Sequence, residues 1–333
     1  MNMQLLEKIL TAYGPSGHEG RVAEVIREAL DGHVDEIRTD VMGNLIAVRH
    51  GDGTGRRIML SAHMDHIGLA VTDADKHGYL RVCNVGGIDA ETMVSGHVVF
   101  ENGVCGVVFA DEKIKGTPKV SDLYVDIGAQ SREEALEMVS IGDMCVMKPR
   151  VTRLGEHRLA SPAMDDRISC YIQAQALLEL SEKTKNEIIA VFSVQEEVGV
   201  AGASTAAYAA RPDMGIAIDV TGTGDVPEVE TKLSVELGKG AAIKIMDRSL
   251  ICTPSVVELM ERLAAENGIP TQREVLPFGG TDAGPMQKSR GGVATGVISV
   301  PCRYIHSEAE TVDLRDVQAA IDLTRAFVER EMP

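Results

Sequence analysis

Apolar positions recur at helical spacing in LLEKILTAYG and EGRVAEVIREALDG, and GPSG interrupts them, which predicts two amphipathic helices at the start of the chain. GNLIAVRH and RRIMLSAH have the content and length of strands, with the glycine-rich turn GDGTG between them. From Leu69 to about Arg158 the texture changes to short alternating runs rich in Val and Gly, such as YLRVCNVGG, HVVFENGVCGVVFA and DLYVDIGA. Only SREEALEMV has helical spacing there, which predicts a small β-rich unit with one short helix. Farther on, EIIAVFSVQ, MGIAIDVT, AAIKIMD and GVATGVISV are apolar runs of strand length. SCYIQAQALLELSEK, PSVVELMERLAAENG and LRDVQAAIDLTRAFVERE have the spacing of helices.

Strands buried on both faces with helices between them indicate an α/β layered domain. The predicted organisation is one such domain, residues 1–68 and 159–333, interrupted by the β-rich insert at 69–158. Internal repeats and low-complexity tracts are absent.

Composition changes this picture little. The 333 residues include 44% hydrophobic and 25% charged positions, an ordinary water-soluble balance for one large or two moderate domains. Lys and Arg total 33 against 50 Asp and Glu, and the net charge of −17 argues against nucleic acid or an anionic membrane as a partner. No apolar run has the length of a membrane span, and MNMQLLEKIL reads as an amphipathic helix and not as a signal peptide. The six cysteines are scattered without a C-x-x-C pair, which fits a reducing compartment and places the chain in the cytoplasm.

Five places could carry chemistry. In SAHMDHIG, residues of an extended segment alternate faces, so His63 and Asp65 point the same way while His66 does not. His63 could ligate a metal with Asp65 fixing its ring, or it could be a satisfied core histidine at a strand end. In VFSVQEEVGVAG an apolar strand runs into Glu196 and Glu197, which suits one ligand and one general base, or simply an exposed strand end. Asp165 and Asp166 stand where a helix would begin, and capping explains them equally well. Asp219 and His306 each follow an apolar strand, and the carboxyl ends of strands in α/β sheets face the crevice where ligands bind. Taken together, the carboxylate and imidazole donors suit zinc, cobalt or manganese. The sequence HExxH is absent, because His18–Glu19 continues as Gly-Arg-Val.

In this order, AHMD, AMDDR, QEEVG, IDVT, FGGTDAG and YIHS resemble the tetrahedral aminopeptidases, dinuclear-metal peptidases some of which carry glutamyl-aminopeptidase or cellulase-like names. GPSGHE near the start and the DIGA stretch of the insert extend the resemblance over essentially the whole chain. It implies a three-layer catalytic domain with a mixed central sheet and an inserted small β-barrel-like (PDZ-like) dimerisation domain. It also implies two divalent metal ions per subunit, zinc or cobalt ahead of manganese. Carried over by residue, His63 and Asp219 would hold one metal, Glu197 and His306 the other, and Asp165 would bridge them, joined to Asp166 by a cis peptide. Glu196 would be the general base for the bridging water, and Asp65 would orient His63. Gly280, Thr281 and Asp282 of FGGTDAG would hold the peptide or its oxyanion, unless that segment is only a glycine turn before a helix.

The resemblance implies release of the N-terminal residue from short peptides with a free N-terminus, and dimers assembling into a twelve-subunit tetrahedron through the insert. A carboxypeptidase or deacylase on a related dinuclear scaffold is the alternative. A glycosidase would leave the histidines unexplained, and the chain has no Trp and 3% aromatics to stack on sugars. His66 departs from the acidic residue many relatives have there, and it is expected to be a surface histidine at the domain junction. Arg167 is expected to pair with a carboxylate or a substrate terminus, Lys239 and Arg248 to be solvated, and His77, His97 and His157 to be exposed or structural.

Overall fold

The structure, a computed structural model, describes residues 1–181, 184–228 and 232–331. Helices α1 (Met3–Thr11) and α2 (Gly20–Leu30) lead into β1 (Glu36–Thr39), β2 (Leu45–Arg49) and β3 (Arg57–His63). Asn2 starts α1 by accepting the Leu5 amide, and Leu5, Leu6, Ile9 and Leu10 form its buried stripe. The next strands are β4 (Gly68–Ala74), β5 (Leu80–Val85), β6 (His97–Phe100), β7 (Cys105–Ala110), β8 (Leu123–Asp126) and β9 (Met144–Met147). Helix α3 (Ala90–Met93) precedes β6 and α4 (Arg132–Met138) precedes β9. The chain then returns through β10 (Thr152–Leu154), β11 (Arg158–Ala160), α5 (Met164–Leu178), β12 (Glu187–Ser193), α6 (Ala201–Ala210) and β13 (Met214–Thr221). It ends with β14 (Ala241–Met246), α7 (Pro254–Asn267), β15 (Thr271–Val275), α8 (Ala283–Gln287), β16 (Ala294–Arg303), β17 (Thr311–Asp313) and α9 (Leu314–Glu329).

The large sheet is mixed, in the order β1-β2-β12-β3-β13-β16-β17-β11-β10, with β14 against β16 and β15 against β14. Its centre, β12-β3-β13-β16, is parallel, and these strands are the near-continuous apolar runs of the sequence. Helices α5 and α9 pack together on one face, with α1 against α5 and α7 against α9, while α6 and α8 cover the other. The result is the expected three-layer α/β domain.

Strands β4 to β9 close into a separate barrel in the order β4-β5-β8-β7-β6-β9, with its own core of Leu69, Leu80, Val98, Phe100, Val108 and Val125. The barrel-like insert of the expectation is therefore present. Strands β10 and β11 join the large sheet through β17.

Several elements escaped the pattern reading, β1, β9, α6 and β15 among them. Helix α6, AGASTAAYAA, is almost all small residues and has no amphipathic stripe. Gly202 there lets the helix approach β12, since a Cβ would meet the Val194 carbonyl oxygen at 2.5 Å. Strand β15, TQREV, is mostly polar because it lies at the sheet edge. Glu182 and Lys183, the end of the helix expected over SCYIQAQALLELSEK, lie outside the described residues.

Candidate metal centre

The parallel centre of the sheet brings the candidate residues together. His63 ends β3 opposite Ser193 of β12, whose chain continues directly to Glu196 and Glu197. Asp219 lies near the end of β13, and His306 follows β16, so all five emerge at the same carboxyl edge. Asp165 comes from the start of α5, where its peptide bond to Asp166 is cis.

His63 Nε2 stands 3.1 Å from Asp165 Oδ1, 4.0 Å from Asp219 Oδ1 and 3.9 Å from Glu196 Oε2. His306 Nε2 is 3.4 Å from the other Asp165 oxygen and 3.4 Å from Glu197 Oε1. Two donor groups result, His63–Asp165–Asp219 and Asp165–Glu197–His306, with Asp165 common to both. Glu197 Oε1 is buried yet accepts no hydrogen bond of good geometry. Four carboxylates facing two imidazoles are the donor chemistry of a divalent-cation site, and carboxylate with imidazole suits zinc, cobalt or manganese. The residues present fit such ions.

The electrostatics follow from crowding. Burial raises Glu196 well above the usual carboxylate range against the pull of His63, and the nearby Asp219, Asp282 and Glu197 charges add to the rise. Asp219 is raised in the same way, burial first. Burial pushes the His306 imidazole down, but the Asp165 and Glu197 carboxylates, each 3.4 Å from its Nε2, outweigh that and hold it at about 11.

A ring of buried groups aims this cluster. The Asp65 carboxylate accepts the amides of Glu196 at 3.0 Å and Glu197 at 3.2 Å, and the Ser16 hydroxyl at 2.6 Å. His63 Nδ1 lies closer to the Asp65 backbone oxygen, 3.0 Å, than to its carboxylate, 3.6 Å. Glu19 accepts the amides of Gly17 and Gln195 through one oxygen. Glu310 accepts the amides of Asp165 and His306. Behind Asp219, Lys244 is fully buried between Glu274 at 3.1 Å and Asp247 at 3.3 Å, and Glu274 accepts the Thr221 hydroxyl. Pattern reading missed Glu310, Glu274 and Lys244. For Lys244 the signal was an ionisable residue inside the apolar run AAIKIM, which needs a partner once buried, whereas Glu274 and Glu310 stand among polar neighbours and carried no such signal.

The barrel closes one side of the cluster. Gly86 and Gly87 follow β5, and a Cβ on Gly87 would sit 3.1 Å from the His306 ring, while one on Gly86 would sit 3.1 Å from Glu197 Cβ. Gly86 also has φ +79°, a conformation glycine adopts freely.

Gly280 lines the adjoining cleft, whereas Thr281 and Asp282 are buried, and Asp282 Oδ2 accepts the hydroxyls of Ser61 at 2.7 Å and Ser193 at 2.5 Å. Two sequence expectations are corrected. His66 is buried, because its backbone pairs with Pro15 and its amide donates to Gly14, which pulls the segment under the α1–α2 loop. Burial and the Arg167 charge lower it to about 3, so it stays neutral. Arg167 reaches neither a carboxylate nor the cleft. It is fully buried and donates to the backbone carbonyls of Met64, Ile9, Ala12 and Gly14. Lys239, Arg248, His77 and His97 are exposed and His157 half-buried, as expected.

Comparison with known proteins places this geometry. A family model described as M42 glutamyl aminopeptidase matches residues 43–323. The chain is 40% identical to a lysyl aminopeptidase of Pyrococcus furiosus over 100% of this chain and 98% of the other. It superposes on an aminopeptidase of the archaeon Desulfurococcus kamchatkensis with TM-score 0.95 and 38% identity, covering 99% and 95% of the two chains. It is also similar to the TET1 peptidase of Pyrococcus horikoshii, which can assemble into a tetrahedron or a large octahedral shell. That match has TM-score 0.89 and 35% identity over 98% of each chain.

Proposed function

Because the chain belongs to the M42 glutamyl aminopeptidase family, we propose that it removes the N-terminal residue from short peptides at this cluster, with Glu196 as general base. Membership makes it a peptide-bond hydrolase of the metalloaminopeptidase type. The observation that carries the finer reading is the pair of donor groups sharing Asp165, with the Glu196 carboxylate beside them and outside both.

In this reading His63 and Asp219 hold one divalent cation, Glu197 and His306 hold a second, and Asp165 serves both. Zinc or cobalt, bound there, would make a water nucleophilic near neutral pH and polarise the scissile carbonyl. Glu196 takes the proton of the attacking water and returns it to the departing amine. Its raised affinity for protons, from burial beside other carboxylates, suits both halves of that transfer. Asp65 fixes the backbone that carries Glu196 and Glu197, and its own backbone oxygen meets the ring of His63. Gly280 offers its backbone to the bound peptide, while Thr281 and Asp282 support that loop from beneath. The acidic edge receives the free α-ammonium, which confines cleavage to the first residue.

The barrel of β4 to β9, the body of the expected insert 69–158, acts as the association domain, and dimers build a twelve-subunit tetrahedron in the cytoplasm. Among the described residues no helix is long and apolar enough to cross a membrane. The test is hydrolysis of amino-acid anilides after chelation and after return of zinc or cobalt, alongside the same substrates with a blocked α-amine. Loss on chelation, recovery with metal and inactivity of blocked substrates are expected; equal cleavage of blocked substrates would defeat the proposal.

A further inference from the structure

The cleft beside the cluster has a volume of about 760 Å³, enough for a peptide's first side chain and more. Its walls away from the cluster are mostly apolar, with Val220, Val226, Leu233, Leu276, Phe278 and Ile305, and the uncharged polar side chains among them are Thr221, Thr223 and Tyr304. They come from three separate segments, the end of β13 with the loop that follows it, the loop after β15 and the turn after β16, so the apolar lining is not one stray patch. Outside the cluster, the one charged side chain among the described lining residues is Arg303.

Arg303 does not offer its charge to the cleft. Its Nε donates to Asp225 Oδ1 at 3.0 Å and its Nη2 to Asp225 Oδ2 at 2.5 Å, a two-pronged pair with both side chains largely buried. Asp225 is itself anchored, because the Leu237 amide donates to its Oδ2 at 3.2 Å. An acidic substrate side chain entering here meets a guanidinium already spoken for, and a basic one meets a guanidinium of its own sign. Either charge would lose water and find no free opposite charge among the described lining residues outside the cluster, whereas an aliphatic or aromatic side chain gains from burial.

We infer that the cleft selects peptides whose N-terminal side chain is apolar, and that Asp225 enforces the choice by occupying the Arg303 guanidinium. This rests on the aminopeptidase reading and gives it a substrate class. Arg303 and Asp225 are thus specificity-determining residues: the pair keeps a potential anion receptor neutral, and discrimination comes from the penalty on wrong side chains as much as from contact with right ones.

The test uses the metal-loaded wild-type protein and the p-nitroanilides of leucine, glutamate and lysine at one pH and ionic strength. The expected result is kcat/KM for leucine at least tenfold above glutamate and lysine. A smaller margin, or glutamate or lysine ahead, overturns the inference while leaving an aminopeptidase. Hydrolysis of none of the three, nor of the corresponding free dipeptides, overturns the aminopeptidase reading itself. Asp225→Asn should raise the glutamate-to-leucine ratio at least tenfold by releasing Arg303, with the lysine-to-leucine ratio unmoved. Arg303→Met is the independent variant and should raise the lysine-to-leucine ratio at least tenfold by releasing Asp225. Unchanged ratios in either variant, with native circular dichroism, refute the role given to the pair; should neither fold, the wild-type ratios still decide the substrate class.

Discussion

The Glu310 carboxylate accepts the Asp165 amide at 2.9 Å through one oxygen, and through the other it accepts the His306 amide at 2.8 Å. One buried side chain thereby sets the spacing of two residues from distant segments. Glu310→Gln would turn one oxygen into a donor facing an N–H, so one of these contacts must be lost. We expect metal affinity to fall by about 10–100-fold, the usual cost of removing a support behind a ligand. Competition against a chelating dye measures it, and unaltered affinity would show that Glu310 is dispensable.

Glu196→Gln should keep the metal and the fold, because Glu196 stands outside both donor groups. The turnover number should drop by about 10²–10⁴-fold with KM little changed, the signature of a lost proton carrier. Single-substrate kinetics beside metal analysis of the same sample decides this.

Arg167→Met should destabilise the fold. Four carbonyl oxygens accept from this guanidinium, and an unpaired buried acceptor costs about 1–3 kcal/mol, so a loss of at least about 3 kcal/mol is expected. Denaturant unfolding reads it. A loss below 1 kcal/mol would mean that water replaces the guanidinium without penalty.

Acid should separate wild type from Asp225→Asn. Burial would raise the Asp225 carboxyl, but the Arg303 hydrogen bond and charge, with help from Thr223, hold it at about 2, below its ordinary 3.8. A depressed folded value means a contribution fully present above about pH 4 and lost as pH falls through 2. The stability difference between the two proteins should therefore be constant from neutrality to about pH 4 and shrink below it. Urea titrations at several pH values measure that difference, and a gap that persists undiminished at pH 2 would contradict the assignment.

The parts of the molecule legible in the sequence are those where a period or a residue type has one physical meaning. The central parallel strands showed as apolar runs because both faces are covered, and the acids and histidines showed because ionisable residues recur at the ends of those runs, each open to a structural explanation alone but not as a set. Helix α6 was invisible because alanine and glycine carry no stripe, and β15 because an edge strand need not be apolar. His66 was misplaced for a different reason. Its enclosure comes from backbone pairing with Pro15, a contact between distant segments that no local pattern encodes. Arg167 was misjudged because a charged side chain suggests a charged partner, whereas here backbone carbonyls suffice.

Strand β3, which ends at His63, lies between β12 and β13, and Arg57 finds its register partner Glu187 only 130 residues later. A chain emerging from the ribosome must therefore finish the whole barrel while the strand bearing His63 still has neither neighbour. Asp219 and His306 arrive later still. With the roles proposed for these residues, a nascent or truncated product carries no complete set of donors, and activity is expected only once almost the entire length has been made.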